Sequence, residues 1–165
     1  MRRLVMLGAV VSLSLVALIG AAHGAGSGPL CRAGDLAGAI TDVQGGAGSQ
    51  FGRLVLVNKS SHTCHTKGFI GGQFVGTDNH AIATHVTRDP STSAKTVVDK
   101  SGAAAALQLR WSLVPSGSEP CKKARWLRVT PPDDTDSVRV YFNSTPCRGD
   151  LEVRAITDPR SVAQV

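Results

Sequence analysis

The chain has 165 residues, of which 42% are hydrophobic, 4% aromatic and 18% charged, and its formal net charge is +6. This length fits one ordinary domain. The positive excess is small and dispersed, so nucleic acid is not expected as a partner.

The N-terminus reads as a targeting segment. Met1-Arg2-Arg3 is basic, the uncharged run Leu4–Gly20 spans 17 residues, and small residues follow with Ala22 and Gly24 in cleavage-site spacing. That order predicts a signal peptide over residues 1–24, cut after Gly24, with Ala22 the second choice. An uncleaved anchor is the alternative, because the run is at the lower edge of bilayer-spanning length. Leu30 before Cys31 does not suit lipoprotein processing. No other segment is apolar enough to span a membrane. The mature chain, 25–165, is expected to be one β-sandwich domain with an ordered core over residues 31–157. Without Arg2 and Arg3 it carries sixteen basic and twelve acidic side chains.

Cys31, Cys64, Cys121 and Cys147 are an even set in a chain read as exported, which predicts two disulfides and a secreted or cell-envelope location. Of the three pairings, Cys31–Cys64 with Cys121–Cys147 keeps each bridge within one half of the chain. Each such loop destabilises the unfolded state by about 3.5–4 kcal/mol in the chain-entropy model.

The rest is a series of short strand-like runs broken by Gly, Pro, Asn, Asp and Ser. "GDLAGAI" near Asp35 reads as a first strand or short turn, and "GGAGSQFG", 45–52, as a flexible connection between strands. Phe51–Asn58 suits a buried strand. Phe69–Val75 and Ala81–Thr87 follow, separated by "GTDNH". Leu107, Leu109, Trp111 and Leu113 alternate with Gln108, Arg110 and Ser112, the period of a half-buried strand. Leu127 and Val129 continue the pattern, as do Val138, Val140 and Phe142 with Arg139, Tyr141 and Asn143 opposite. Leu151 and Val153 come last, and the tail "DPRSVAQV" is expected to be mobile. Evenly spaced short strands predict an all-β sandwich, with a small barrel as the alternative.

The stretch "NKSSHTCHTKGF", 58–69, places Cys64 between His62 and His65. Structural zinc needs about four Cys or His ligands in close pairs, and no second pair is near. A copper electron-transfer site usually takes an axial Met, and Met1 and Met6, the only methionines, fall in the signal segment. Cys64 is therefore read as a disulfide partner and the histidines as surface residues, with no metal and no cofactor expected. His80 and His85, five apart on one expected strand, would face opposite sides. No nucleophile-elbow serine and no phosphate loop occurs, and no catalytic set is evident. "DDTDS", 133–137, lacks the Gly and distal Glu of a calcium loop and reads as a polar turn. Asn58-Lys59-Ser60 and Asn143-Ser144-Thr145 match the glycosylation sequon. In "CKKARWLRV", 121–129, alternation turns Leu127 and Val129 inward and Trp126 and Arg128 outward, near Lys122; these three are the candidate binding residues.

The order of these features resembles the secreted actinobacterial four-cysteine domains grouped as domain of unknown function 4232. The matching pieces are "CRAGDL" at 31–36, "GAGSQFGRLVLVNKSSHTC" at 46–64, "KGF" at 67–69, "SGAAAALQLRW" at 101–111, Cys121, "LRVTPP" at 127–132 and "CRGDLEV" at 147–153. Asp99-Lys100 departs from the expected proline–glycine turn. The resemblance implies an immunoglobulin-like sandwich, export and two disulfides, and it carries no catalytic residue. The functional expectation is an exported non-enzymatic domain that binds or supports something in the cell envelope, its partner an anionic polymer or another exported protein. A metal-binding or redox accessory protein is the alternative.

Overall fold

A computed structural model describes residues 28–117 and 120–161. The predicted signal segment lies outside them. Among these residues a short 3-10 turn, Ala33–Asp35, leads into ten strands. They are β1 (Leu36–Gly46), β2 (Ser49–Asn58), β3 (Cys64–Thr66), β4 (Gly71–Gly76), β5 (His85–Arg88), β6 (Val97–Asp99), β7 (Ala104–Ser112), β8 (Ala124–Thr130), β9 (Val138–Ser144) and β10 (Asp150–Val153). One sheet has the order β1-β2-β7-β10-β5, a second β4-β8-β9, and β3 pairs with β6 in a third. All pairings are antiparallel except β10 with β5. The fold is an immunoglobulin-like β-sandwich: the strand spacing predicts the sandwich, and the resemblance implies its immunoglobulin-like form.

The core forms where the inward side chains of the two larger sheets meet. Leu54, Leu56, Leu107, Leu109, Trp111, Leu151 and Val153 come from the five-stranded sheet, and Phe74, Leu127, Val129, Val140 and Phe142 from the three-stranded one. Phe142 joins the layers, its ring 4.8 Å from that of Trp111 and 5.0 Å from that of Phe74. Trp111 lies over Gly52, where a Cβ would meet the indole at 3.1 Å. Glycine at that point makes room for the largest core side chain.

Both disulfides pair as expected, Cys31 with Cys64 and Cys121 with Cys147. The first is buried and ties the chain before the 3-10 turn to β3. The second joins the chain just before β8 to the β9–β10 connection.

Several details depart from the sequence reading. The "GGAGSQFG" stretch is mostly strand, and only Ala47 and Gly48 connect β1 to β2. Both have positive φ, 45° and 76°, which suits the tight hairpin turn that matches strand twist. β7 ends at Ser112, so Leu113 leaves the core alternation and is 37% exposed, its N–H donating to Gly48 O. Ala81–Thr87 is not one strand. Ala81 makes an isolated bridge to Val75, Thr84 Oγ1 accepts the Phe74 N–H, and β5 starts at His85. The tail begins in an ordered 3-10 turn, Pro159–Ser161, and Arg53 donates to Pro159 O. At the departure from the family turn pattern, Ala103 N–H closes a turn onto Lys100 O.

The polar turn "DDTDS" is a clamp. Asp134 accepts the Ala33 N–H at 2.7 Å and pairs with Arg32 at 3.9 Å, while Arg32 also donates to Asp133 O. The Ala33 N–H above all, then the N–H groups of Asp136 and Thr135 and the charge of Arg32, hold the Asp134 carboxyl below the usual carboxylate range against a smaller opposing effect of burial.

Candidate functional site

β8 is the middle strand of the three-stranded sheet. Its Leu127 and Val129 are buried, so Trp126 and Arg128 face outward. A bulge between Ala124 and Trp126 breaks the alternation. Ala124 is buried and Arg125 is turned out beside Trp126, an extra exposed cation that period two alone does not produce. On β9 the outward residues are Arg139 and Tyr141, with Tyr141 55% exposed. The register sets Trp126 opposite Tyr141 and Arg128 opposite Arg139.

Arg125, Trp126, Arg139 and Tyr141 form one contact set. The Arg139 guanidinium carbon lies 4.4 Å from the Trp126 ring centre, and that of Arg125 lies 5.6 Å away. Tyr141 meets Trp126 edge-on at 5.5 Å. Arg139 also donates to Asn79 Oδ1 in the β4–β5 connection. Cations over an indole face are drawn by its quadrupole, by about 0.5–1 kcal/mol when exposed. Arg32, Arg53, Arg110, Arg148, Arg154 and Arg160 each pair with a carboxylate. Among the described residues, Arg88, Arg125, Arg128 and Arg139 pair with none, and the last three share the face around Trp126.

Of the three candidates read from sequence, Trp126 and Arg128 share this face. Lys122 precedes β8, beyond the bulge. It lines a concavity of about 140 Å³ with Ile82, His85, Pro146 and Arg148, beside the Cys121–Cys147 bridge. Its backbone N–H donates to Pro146 O. Arg125, Arg139 and Tyr141 were missing from the candidate set. The alternation in "VRVYFNS" puts Arg139 and Tyr141 outward, but only the pairing of β8 with β9 brings them to Trp126.

The histidines and cysteines of the "SHTCHTKGF" stretch are dispersed. Cys64 is bonded to Cys31, and His65 Nδ1 donates to Gly28 O. His62 points to Asp35 at 3.6 Å, and His80 to Asp78 at 3.3 Å. Among the described residues no three His, Cys, Asp or Glu side chains gather where a metal ion would fit, and every cysteine is in a disulfide. Asn58 is fully buried, so its sequon has an internal role. Its amide donates to His62 O at 2.7 Å and Asp99 O at 2.9 Å, and its Oδ1 accepts from Ser60.

Asp99 is a buried acid that the sequence reading treated only as a turn residue. It is 1% exposed and lies opposite Cys64 in the β3–β6 pair. Thr66 donates to its Oδ2 at 3.3 Å, and its Oδ1 has no partner. Burial raises its carboxyl above the ordinary value, the Thr66 hydroxyl opposes that, and nearby Asp158 adds to it.

A β-sandwich braced by two disulfides is the construction of proteins that mature in an oxidising compartment. Residues 31–157 match the family described as Domain of unknown function (DUF4232), and the chain belongs to that family. No curated protein matches the chain, and no solved structure does. Among the described residues no helix is long and apolar enough to cross a membrane.

Proposed function

We propose that this protein is an exported, non-enzymatic β-sandwich domain that acts by binding at the cell envelope. Its contact surface is the outer face of the three-stranded sheet around Trp126, and its partner is an anionic envelope polymer. The observation that carries this reading is the grouping of Arg125, Arg128 and Arg139 on one face with Trp126 and Tyr141, none of the three arginines in an ion pair among the described residues. Such a surface attracts polyanions, with an affinity that falls as salt rises. Aromatic and arginine side chains are also the commonest binding hot spots. Because β8 is the middle strand, Trp126 does not cap a sheet edge, so a purely edge-covering role does not account for it.

The test is retention of the oxidised protein on isolated cell envelope. Arg128→Gln is expected to lower retention about fivefold, the size of one cation at an anionic surface, and to leave the melting temperature unchanged. Arg110→Gln removes an equal charge from the other sheet and is expected to leave retention intact. Equal loss in both variants, or in neither, would overturn the reading.

A further inference from the structure

The β3–β6 pair brings Asp99 to the Cys31–Cys64 bridge. Asp99 Oδ2 lies 3.9 Å from Cys31 Sγ and accepts from Thr66 at 3.3 Å, while Oδ1 has no partner among the described residues. Asp99, Thr66, Cys31 and Cys64 are each 1% exposed or less. Among the described residues no Lys, Arg or His pairs with Asp99. An acid so placed is costly to ionise, and burial keeps it neutral to a higher pH than an ordinary carboxyl. An orphaned buried polar atom calls for a reason, and a redox role is one. A bridged sulfur carries no proton, so the 3.9 Å contact is idle while the bridge is closed. Once the bridge opens, Cys31 needs a proton, and Asp99 is the acid beside it.

The titratable groups nearby are few. Asp158, just before the Pro159–Ser161 turn, opposes ionisation of Asp99 and itself titrates at about 2. His65 lies opposite Val98, His62 is directed at Asp35, and Lys100 is exposed next in the chain.

The cover over the bridge is slight. Residues 28–31 are held along β3 by His65 alone: its N–H donates to Pro29 O at 2.9 Å, its O accepts the Cys31 N–H at 2.9 Å, and its Nδ1 donates to Gly28 O. Gly28 is so close that a Cβ there would come within 2.7 Å of Thr63 O and 3.9 Å of Cys64 Cα. Lifting Gly28–Leu30 is a local opening that leaves the sandwich core intact. The bridge itself then keeps Cys31 beside Asp99.

We propose that the Cys31–Cys64 bridge is a thiol-exchange site for an exported dithiol, with Asp99 as the proton donor to Cys31. The dithiol's first thiolate attacks Cys64 Sγ, the S–S bond breaks, and its electron pair passes to Cys31 Sγ, which takes the Asp99 proton. The second thiolate attacks the dithiol's own sulfur in the mixed disulfide and displaces Cys64. Solvent protonates Cys64 and restores the Asp99 proton, and it receives the two protons of the dithiol. The dithiol ends oxidised and the bridge reduced. A tethered second thiol resolves a mixed disulfide at a covered sulfur more readily than a separate molecule does. In reverse, the Asp99 carboxylate takes the Cys31 proton and the bridge closes. This role does not depend on the face around Trp126.

The experiment is reduction of the oxidised full chain by dithiothreitol from about pH 4 to about pH 8. Timed alkylation and peptide mass read each bridge, and rates are divided by the thiolate concentration. The wild-type Cys31–Cys64 bridge should open fastest at low pH and slow about tenfold as Asp99 ionises, a modest general-acid effect because a thiolate leaves readily. Asp99→Asn should be slow and flat across the range. Thr66→Val removes the hydroxyl that lowers Asp99 and should move the midpoint to higher pH. Gly28→Ala, which displaces the cover, should speed opening at every pH and keep the pH dependence. The Cys121–Cys147 bridge is the internal control and should respond to none of these variants. An Asp99→Asn rate that matches or exceeds the wild type at every pH would overturn the proposal. So would equal changes at both bridges, which would report global unfolding. A Gly28→Ala rate equal to the wild type would remove the route of access, and the exchange site with it.

Discussion

Trp111 donates its indole N–H to Gln50 Oε1 at 2.9 Å, which links β7 to β2 inside the core. Ser144 on β9 completes the triangle, 3.0 Å from the indole nitrogen and donating to Gln50 at 2.7 Å. The only polar atom of the largest core side chain is thus satisfied, and the bonds span both large sheets. Trp111→Ala should cost about 3–5 kcal/mol, as for other buried aromatics. It also leaves Gln50 and Ser144 facing a cavity. Urea denaturation measures the loss, and a change below about 1 kcal/mol would be that of an ordinary surface substitution.

Asp99 gives a pH signature with a defined sign. Burial raises its folded-state carboxyl above the unfolded value. Its contribution is therefore complete below the unfolded value and is lost as pH rises through the folded one. Asp99→Asn removes that titration. The variant's melting temperature relative to wild type should rise between pH 3 and pH 7 on a thermal-melt series, in the window from about 3.9 upward. A flat or falling difference would show that the acid is not buried as described.

The exposed carboxylates act in the opposite direction. Hydrogen bonds from Arg160 lower Asp158 to about 2, and the Ser91 N–H and Arg154 lower Asp89. Their contributions are present above the unfolded carboxylate value and are lost on acidification. Arg154→Gln should accordingly raise the Asp89 carboxyl toward its ordinary value, readable by carboxyl NMR. An unmoved titration would mean that the Arg154–Asp89 contact at 2.8 Å does not persist in solution.

The two disulfides should differ in access. Cys31 and Cys64 are both buried, whereas Cys121 is only half-buried. Native-state reduction followed by timed alkylation should label Cys121 and Cys147 first. Replacing either pair by serine should cost about 3.5–4 kcal/mol. First labelling at Cys31 would contradict the burial of that bridge.

The alternating strands were readable because their period is a local property: Leu107, Leu109 and Trp111 face inward as their spacing demands. Leu113 did not follow, because the chain turns after Ser112 and periodicity carries no signal of where pairing stops. The three-residue strands β3 and β6 were invisible for a related reason. They are too short for a pattern and exist through their mutual register. The buried roles of Asn58 and Asp99 depend on each other, since the Asn58 amide binds the Asp99 carbonyl across 41 positions of sequence. At the candidate site, Trp126 and Arg128 were legible from alternation within one strand. Arg139 and Tyr141 required knowing which strand lies beside β8, and Arg125 required the bulge.

The most direct test of the central claim is a backbone-amide and indole NMR titration of the oxidised protein with solubilised anionic envelope polymer. Binding at the outer face of the three-stranded sheet predicts saturable shifts confined to Arg125–Arg128, Arg139–Tyr141, Asn79 and the Trp126 indole, reversed by salt. The Trp111 indole should stay fixed. Shifts centred instead on Lys122, His85 and Arg148, or no shifts at low salt, would contradict the account.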